Sequence, residues 1–294
     1  MTRPFALALH GGAGVNPERD YAEVEAHLRL VVEAGKARLA ANASALETVE
    51  WAVAELEASG LYVAGRGSAP NKAGVVEFDA SIMDGSAMRA GAVCAIQNVV
   101  SPVRAARAVM DKTPHVLLAG SGATQFAQEH GLDLIEDAGH YFRMPVGVQQ
   151  ADIDAETSAL SHGTVGAVAC DKQGRLAAAT STGGTFGKRP GRVGDTPIPG
   201  IGSWADEMVA ASCTGIGEYF ILAGGAGDVA ARMRYAGTEL EVACRAMLAT
   251  VARLGGDGGI IAMDADAMPA LAWNSQGLKR AAAGSRIPTL VAIT

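Results

Sequence analysis

The tightest constraint on this chain is the run Ser161-His162-Gly163-Thr164-Val165-Gly166-Ala167-Val168-Ala169. The uncharged stretch from Val165 to Ala169 predicts a buried strand, with Thr164 at its mouth. A threonine hydroxyl inside a chain is a poor nucleophile. At a chain terminus its own α-amine stands within reach as a general base. Gly163 has no side chain to keep that hydroxyl from the carbonyl before it. The residues therefore point to a chain that is cut between Gly163 and Thr164.

The 294 residues suffice for one large α/β domain or two small ones. Glycine pairs at Gly11-Gly12, Gly183-Gly184, Gly224-Gly225 and Gly258-Gly259 mark tight turns or close backbone approach. A net charge of −7 without a basic block argues against nucleic acid or an anionic membrane as partner. Cys94, Cys170, Cys213 and Cys244 lie apart among small or apolar neighbours, as free thiols in a reducing compartment would. The opening run Phe5 to Leu9 is too short for a signal peptide, and no stretch suits a bilayer span, so the expected location is the cytoplasm.

Phe5 to Leu9 reads as a buried strand ending at His10-Gly11-Gly12-Ala13-Gly14, and Tyr21 to Ala40 has helical spacing. Ser44 and Glu47 fit a capping box for a second helix that stops at Gly60. A glycine-rich loop, Gly65 to Gly74, precedes paired strands at Glu77 to Met83 and Ala90 to Val99. Ser101-Pro102 opens a helix, and another spans about Ala123 to His130. Val165 to Cys170 and Leu176 to Ser181 flank a turn and predict a hairpin. Met208 to Cys213 predicts a strand, Tyr219 to Tyr235 and Glu239 to Leu254 two helices, and Ile260 to Met263 with Ala270 to Trp273 two closing strands. Antiparallel pairs of this kind suggest sheets covered by helical layers, and no G-x-G-x-x-G run opens a helix as a dinucleotide fold requires.

From Pro145 to Gly163 the pattern turns polar and aperiodic, which predicts a flexible linker, 145–163, ending at the scissile bond. An ordinary surface loop before a strand has the same composition.

Four runs stand in order: His162-Gly163-Thr164-Val165-Gly166, Thr180-Ser181-Thr182-Gly183-Gly184, Gly191-Arg192-Val193-Gly194-Asp195 and Cys213-Thr214-Gly215-Ile216-Gly217-Glu218. With them the chain resembles, over nearly its full length, the plant-type asparaginase and isoaspartyl peptidase family of N-terminal-nucleophile hydrolases. The resemblance implies an α+β fold, a four-layer αββα sandwich forming one catalytic domain. It also implies self-cleavage into an α subunit, 1–163, and a β subunit, 164–294, assembled as a dimer of αβ heterodimers.

The resemblance makes Thr164 nucleophile and base, with an α-amine titrating near 7.7–8.0, and makes Thr182 its hydroxyl partner. A β-hairpin threonine is the plain alternative for Thr182. Arg192 matches the arginine that grips a substrate α-carboxylate, and Asp195 the carboxylate that meets the α-ammonium. Without the resemblance, Lys188 to Arg192 reads as a charged solvent loop. Thr214 and Gly215 match an oxyanion hole, with Gly215 also counted among the substrate contacts; an end-of-strand turn has the same residues. Gly11 and Gly12 match a glycine-rich turn near the site, where close backbone packing is the expected role. His10 and His162 form no ligand cluster, so no catalytic metal is expected and a supporting polar role is.

Two departures stand out. Relatives hold a structural sodium ion through backbone carbonyls of the loop around 60–72, where this chain reads Tyr62-Val63-Ala64-Gly65-Arg66-Gly67-Ser68. Val63 there replaces a customary asparagine, removing a polar side chain while leaving backbone ion binding open. Near the C-terminus, Trp273-Asn274-Ser275-Gln276-Gly277-Leu278-Lys279-Arg280-Ala281 replaces the family's usual Phe-Asn and Gly-Met pattern ending in Arg-Gly, which implies a different leaving-group preference. The implied activity is hydrolysis of small β-aspartyl dipeptides and L-asparagine through an ester on Thr164. The alternatives are a glycosylasparaginase and an inactive binding protein of the same fold.

Overall fold

The computed structural model describes residues 3–151 and 163–294. Its first half builds β1 (Ala6–Ala13), α1 (Ala22–Ala40), α2 (Ala45–Ser59), β2 (Phe78–Asp84), β3 (Arg89–Ile96), α3 (Pro102–Lys112), β4 (Leu117–Ala119), α4 (Gly120–Glu129) and α5 (Ala138–Tyr141). After residue 163 come β5 (Val165–Cys170), β6 (Leu176–Thr182), β7 (Ser203–Ala205), β8 (Val209–Gly215), α6 (Gly217–Ala223), α7 (Gly225–Ala236) and α8 (Leu240–Arg253). β9 (Gly258–Asp264), β10 (Pro269–Trp273), β11 (Leu278–Gly284) and β12 (Leu290–Ala292) complete the chain.

The strands form two sheets. One has eight strands, in the order β12-β11-β1-β5-β6-β2-β3-β4; the other has four, β10-β9-β8-β7. All ladders are antiparallel except β3 with β4. Strand alternation sends side chains to opposite faces. On β5, Val165, Ala167 and Ala169 meet Val24, Leu28, Val49 and Val53 of α1 and α2 in one core. Val168 and Cys170 belong to a second core, with Ala210 of β8 and Ile261 and Met263 of β9. The outer face of the smaller sheet, through Val209, Ala211, Ile260 and Ala262, packs on Phe220, Val229, Met247 and Val251 of α6, α7 and α8. Helices thus flank both sheets of this α+β fold.

Local signals set most boundaries. Ser44 caps α2 as a full capping box: its hydroxyl accepts from the Glu47 N–H at 3.2 Å, and the Glu47 carboxylate accepts from the Ser44 N–H at 3.0 Å. Gly60 ends α2 in the left-handed conformation. Pro102 sits in the first turn of α3.

The single helix expected over Tyr219 to Tyr235 is two helices. Gly224, at φ +82°, ends α6 and caps the start of α7. The short strands β7 and β12 and, more consequentially, β11 went unforeseen. The run Leu278-Lys279-Arg280-Ala281-Ala282-Ala283 lacks β-branched residues, yet it pairs with β1 from Ala6↔Gly284 to Ala13↔Leu278. Tertiary pairing here overrides weak strand propensity. The ladder contains a bulge between His10 and Ala13, where Gly12 adopts φ +100°.

Residues 145–151 of the expected linker are described. The Val146 N–H donates to the Leu61 carbonyl at 3.1 Å, and the Arg19 guanidinium donates to the Gly147 carbonyl. The rest of that segment, 152–162 with His162, lies outside the described residues. Among the described residues, no helix is long and apolar enough to cross a membrane.

Candidate active site

The β5–β6 register pairs Val165 with Ser181. Thr164, the residue before β5, therefore stands beside Thr182 at the end of β6. Thr164 is buried, and its hydroxyl donates to Thr182 Oγ1 at 3.1 Å. Thr182 Oγ1 also accepts the Gly184 N–H at 3.0 Å, which fixes its orientation. Thr182 thus links the Thr164 hydroxyl to the turn that follows β6.

His10 fastens Thr164 from below. Pairing of β1 with β5 sets His10 opposite Gly166, and the fully buried ring lies 3.0 Å from the Thr164 carbonyl oxygen through Nδ1. A carbonyl only accepts, so Nδ1 carries the hydrogen. Burial, opposed by that bond and aided by the Lys279 charge, pushes the ring down to about 3 and keeps it neutral. Nε2 is then an acceptor for the Ser212 hydroxyl, 2.8 Å away. The Ser212 oxygen in turn accepts from the Thr180 hydroxyl at 2.7 Å. This chain of hydroxyls crosses from one sheet to the other and ends on the backbone of Thr164. A supporting polar role was expected for His10; its partners Ser212 and Thr180 were missed, because their contact exists only across the two sheets.

Gly163 has no spare volume. A Cβ built there would stand 2.3 Å from Val63 Cβ and Cγ2 and 2.5 Å from the Val63 amide nitrogen. Val63 is buried, and its carbonyl accepts from the Gly183 N–H at 2.9 Å. The valine that replaces a polar side chain is thus an apolar wall against the residue before Thr164.

Thr214 and Gly215 end β8. Thr214 is fully buried, and Oγ1 accepts the Ala13 N–H at 3.2 Å, leaving its hydroxyl hydrogen for another acceptor. Ala13 follows Gly11 and Gly12, so the glycine-rich turn reaches the site through its backbone. Gly11 packs on Tyr62, whose ring would lie 2.4 Å from a Cβ at residue 11.

Lys188 to Arg192 is a solvent loop only in part: Arg189, Pro190 and Gly191 are exposed, whereas Lys188 is buried and Arg192 half-buried. The buried Lys188 ammonium donates to the Glu77 carbonyl at 2.8 Å, and the Gly191 N–H donates to the Glu77 carboxylate at 3.0 Å. Arg192 is held bidentately by Glu218, Nε to Oε1 at 2.8 Å and Nη2 to Oε2 at 2.6 Å. Glu218 closes the run that begins at Cys213, but nothing in the sequence marked it as the partner of Arg192. Asp195 is buried, and Oδ2 has no hydrogen-bond partner among the described residues. Burial pushes its carboxyl up to about 7, against the opposing pull of Arg192. A buried carboxylate oxygen left open beside a guanidinium suits a ligand carrying both charges of an amino acid.

In the loop around 60–72, the Tyr62 and Gly60 carbonyl oxygens lie 2.0 and 2.9 Å from the position a Cβ on Gly67 would take. Those carbonyls pack directly against Gly67, which leaves no room for a side chain there. Among the described residues, no three His, Cys, Asp or Glu side chains gather as a metal cluster.

Thr164 is thus a buried threonine at the start of a central strand, with Thr182 as hydroxyl partner, a carbonyl bonded to His10 and a glycine before it. Residues 3–291 match the family model described as asparaginase. The chain is 44% identical to an isoaspartyl peptidase of Salmonella typhimurium, over 94% of each chain. It is 41% identical to an isoaspartyl peptidase of Escherichia coli, covering 94% of this chain and 91% of that one. It is also 41% identical to a plant-type L-asparaginase of Pyrobaculum calidifontis, covering 93% and 95%. The chain belongs to the plant-type asparaginase and isoaspartyl peptidase family.

Proposed function

We propose that this chain cuts itself between Gly163 and Thr164 and then hydrolyses β-aspartyl dipeptides and L-asparagine, releasing L-aspartate. The observation that carries the reading is the buried Thr164 hydroxyl, 3.1 Å from Thr182 Oγ1, on a backbone anchored by His10. The kinship with isoaspartyl peptidases and a plant-type L-asparaginase supports the substrate class.

In the first reaction, Thr164 Oγ attacks the Gly163 carbonyl carbon. The C–N bond breaks, the acyl group moves to oxygen, and water hydrolyses the ester. Gly163 gains a carboxylate, and Thr164 a free α-amine. In the second reaction, that amine takes the hydroxyl proton as Oγ attacks the substrate's side-chain carbonyl. Arg192 receives the α-carboxylate and Asp195 the α-ammonium, which turns the reacting carbonyl toward Thr164. The Thr214 hydroxyl and the Gly215 N–H stabilise the oxyanion. Collapse expels ammonia or an amino acid, protonated by the Thr164 ammonium. The amine then activates water to free aspartate from its ester. Thr182 orients the Thr164 hydroxyl before each attack.

The architecture this reading calls for is the four-layer αββα sandwich, with 1–163 and 164–294 as α and β subunits, 145–163 as the flexible linker, and two αβ units per assembly. A structural sodium ion on backbone carbonyls of the loop around 60–72 belongs to the same reading and would stiffen the loop whose Val63 backs Gly163. The cytoplasm is the proposed location. The test is turnover of β-Asp-Leu and L-asparagine beside a glycan-linked asparagine, with aspartate measured directly. Release from the first two supports the proposal. Faster turnover of the glycan substrate, or none of any, would overturn it.

A further inference from the structure

Lys279 is a buried cation that the proposed hydrolysis does not use. It lies on β11, 7% exposed, on the same face as Ala281 and Ala283, which pack in the core beneath α1 and α2. Its ammonium donates to the Gly14 carbonyl at 3.2 Å and stands 5.7 Å from the centre of the Tyr21 ring. No described acidic side chain forms an ion pair with it. Burial alone pulls the amine down to about 8, so it is charged at neutral pH.

Its surroundings connect it to the reaction centre. Lys279 lines one narrow cavity together with Gly11, Gly14, Tyr62, Val63 and Gly163. The cavity, about 10 Å³, has room for roughly one water while the chain is intact. Gly14, which holds the ammonium, follows Ala13, which holds the Thr214 hydroxyl. The charge of Lys279 is also felt at His10, the residue that anchors Thr164. An ammonium with no carboxylate partner among the described residues thus borders the residue that becomes a carboxylate when the chain is cut.

We propose that Lys279 is a receptor for a free C-terminal carboxylate in the cleft beside Thr164. That carboxylate has two sources: Gly163 after self-cleavage, or the amino acid at the far end of a β-aspartyl dipeptide. The proposal rests on Thr164 being the nucleophile of both reactions. It adds a subsite that asparagine, which has no second carboxylate, cannot use.

The experiment compares the processed wild type with Lys279→Met and Lys279→Arg. One arm measures kcat/KM for β-Asp-Leu, for β-Asp-leucine amide and for L-asparagine. The other follows trimming of the α chain from its Gly163 end by a carboxypeptidase. If the dipeptide is the source, the wild type favours the acid over the amide by roughly tenfold to a hundredfold. Lys279→Met then erases that preference while asparagine turnover holds, and Lys279→Arg restores part of it. If Gly163 is the source, the acid and amide are turned over alike. The Gly163 end of the wild type then resists trimming, and Lys279→Met exposes it. A wild type that neither prefers the acid nor protects Gly163 overturns the proposal, whatever the variants' folding. A wild type that never cuts itself or hydrolyses no substrate refutes the reading of Thr164 instead, so the two failures are distinct.

Discussion

Asp195 makes substrate affinity depend on pH in a window where an ordinary aspartate would not. Its carboxyl is buried with Oδ2 unpartnered, and burial lifts it from 3.8 to about 7. Only the charged form attracts an α-ammonium. The carboxyl is protonated progressively as pH falls through about 7, so binding weakens on the acid side. Each unit below that value costs about 1.36 kcal/mol, a tenfold loss. The assay is the competitive inhibition constant of L-aspartate from pH 7 to pH 5 at fixed ionic strength. An unperturbed α-amine titrates at about 7.7–8.0, so one on Thr164 would be protonated through most of that range and add little slope. The inhibition constant should rise about tenfold per unit, and Asp195→Asn should bind weakly without that slope. A constant that stays level from pH 7 to pH 5 in the wild type would refute the reasoning.

Thr214→Val keeps the side-chain shape but removes the oxyanion donor, and should lower kcat by about 10²–10³-fold with a smaller change in KM. A kcat within threefold of wild type would remove Thr214 from the mechanism. Gly163→Ala sets a methyl group 2.3 Å from Val63. Uncut precursor should accumulate on a denaturing gel, and normal processing would contradict the packing argument. Ser212→Ala deprives His10 Nε2 of its buried donor. A stability loss of about 1–3 kcal/mol is expected, seen as a lower thermal midpoint; an unchanged midpoint would show the hydroxyl chain to be dispensable.

Much of the fold was legible because its signals are local. Ser44 and Glu47 mark the start of α2 with a capping box, and Val165 to Cys170 alternates between two buried faces as a central strand must. Where strand identity depends on neighbours, the reading failed. β11 is read as a strand only once β1 is seen beside it, since lysine, arginine and alanines have no β preference of their own. The break at Gly224 was hidden because helical spacing continues on both sides of it.

The candidate site divides in the same way. Thr164, Thr182, Arg192, Asp195, Thr214 and Gly215 lie in short runs that can be recognised one at a time. The groups around them were assembled by folding. His10 meets Ser212 across 202 residues of chain, and Arg192 meets Glu218 across 26. Lys279 reaches Gly14 across 265. No spacing rule reports such contacts. Val63 read as a lost polar group, whereas in the fold it is the surface against which Gly163 is held.

The most direct measurement is the intact mass and N-terminal sequence of purified wild-type protein, taken beside its activity and beside Thr164→Ala. The account predicts two fragments, with the second beginning Thr164-Val165-Gly166, and a single inactive chain for the variant. Full hydrolytic activity in wild-type protein that remains one uncut polypeptide would contradict it.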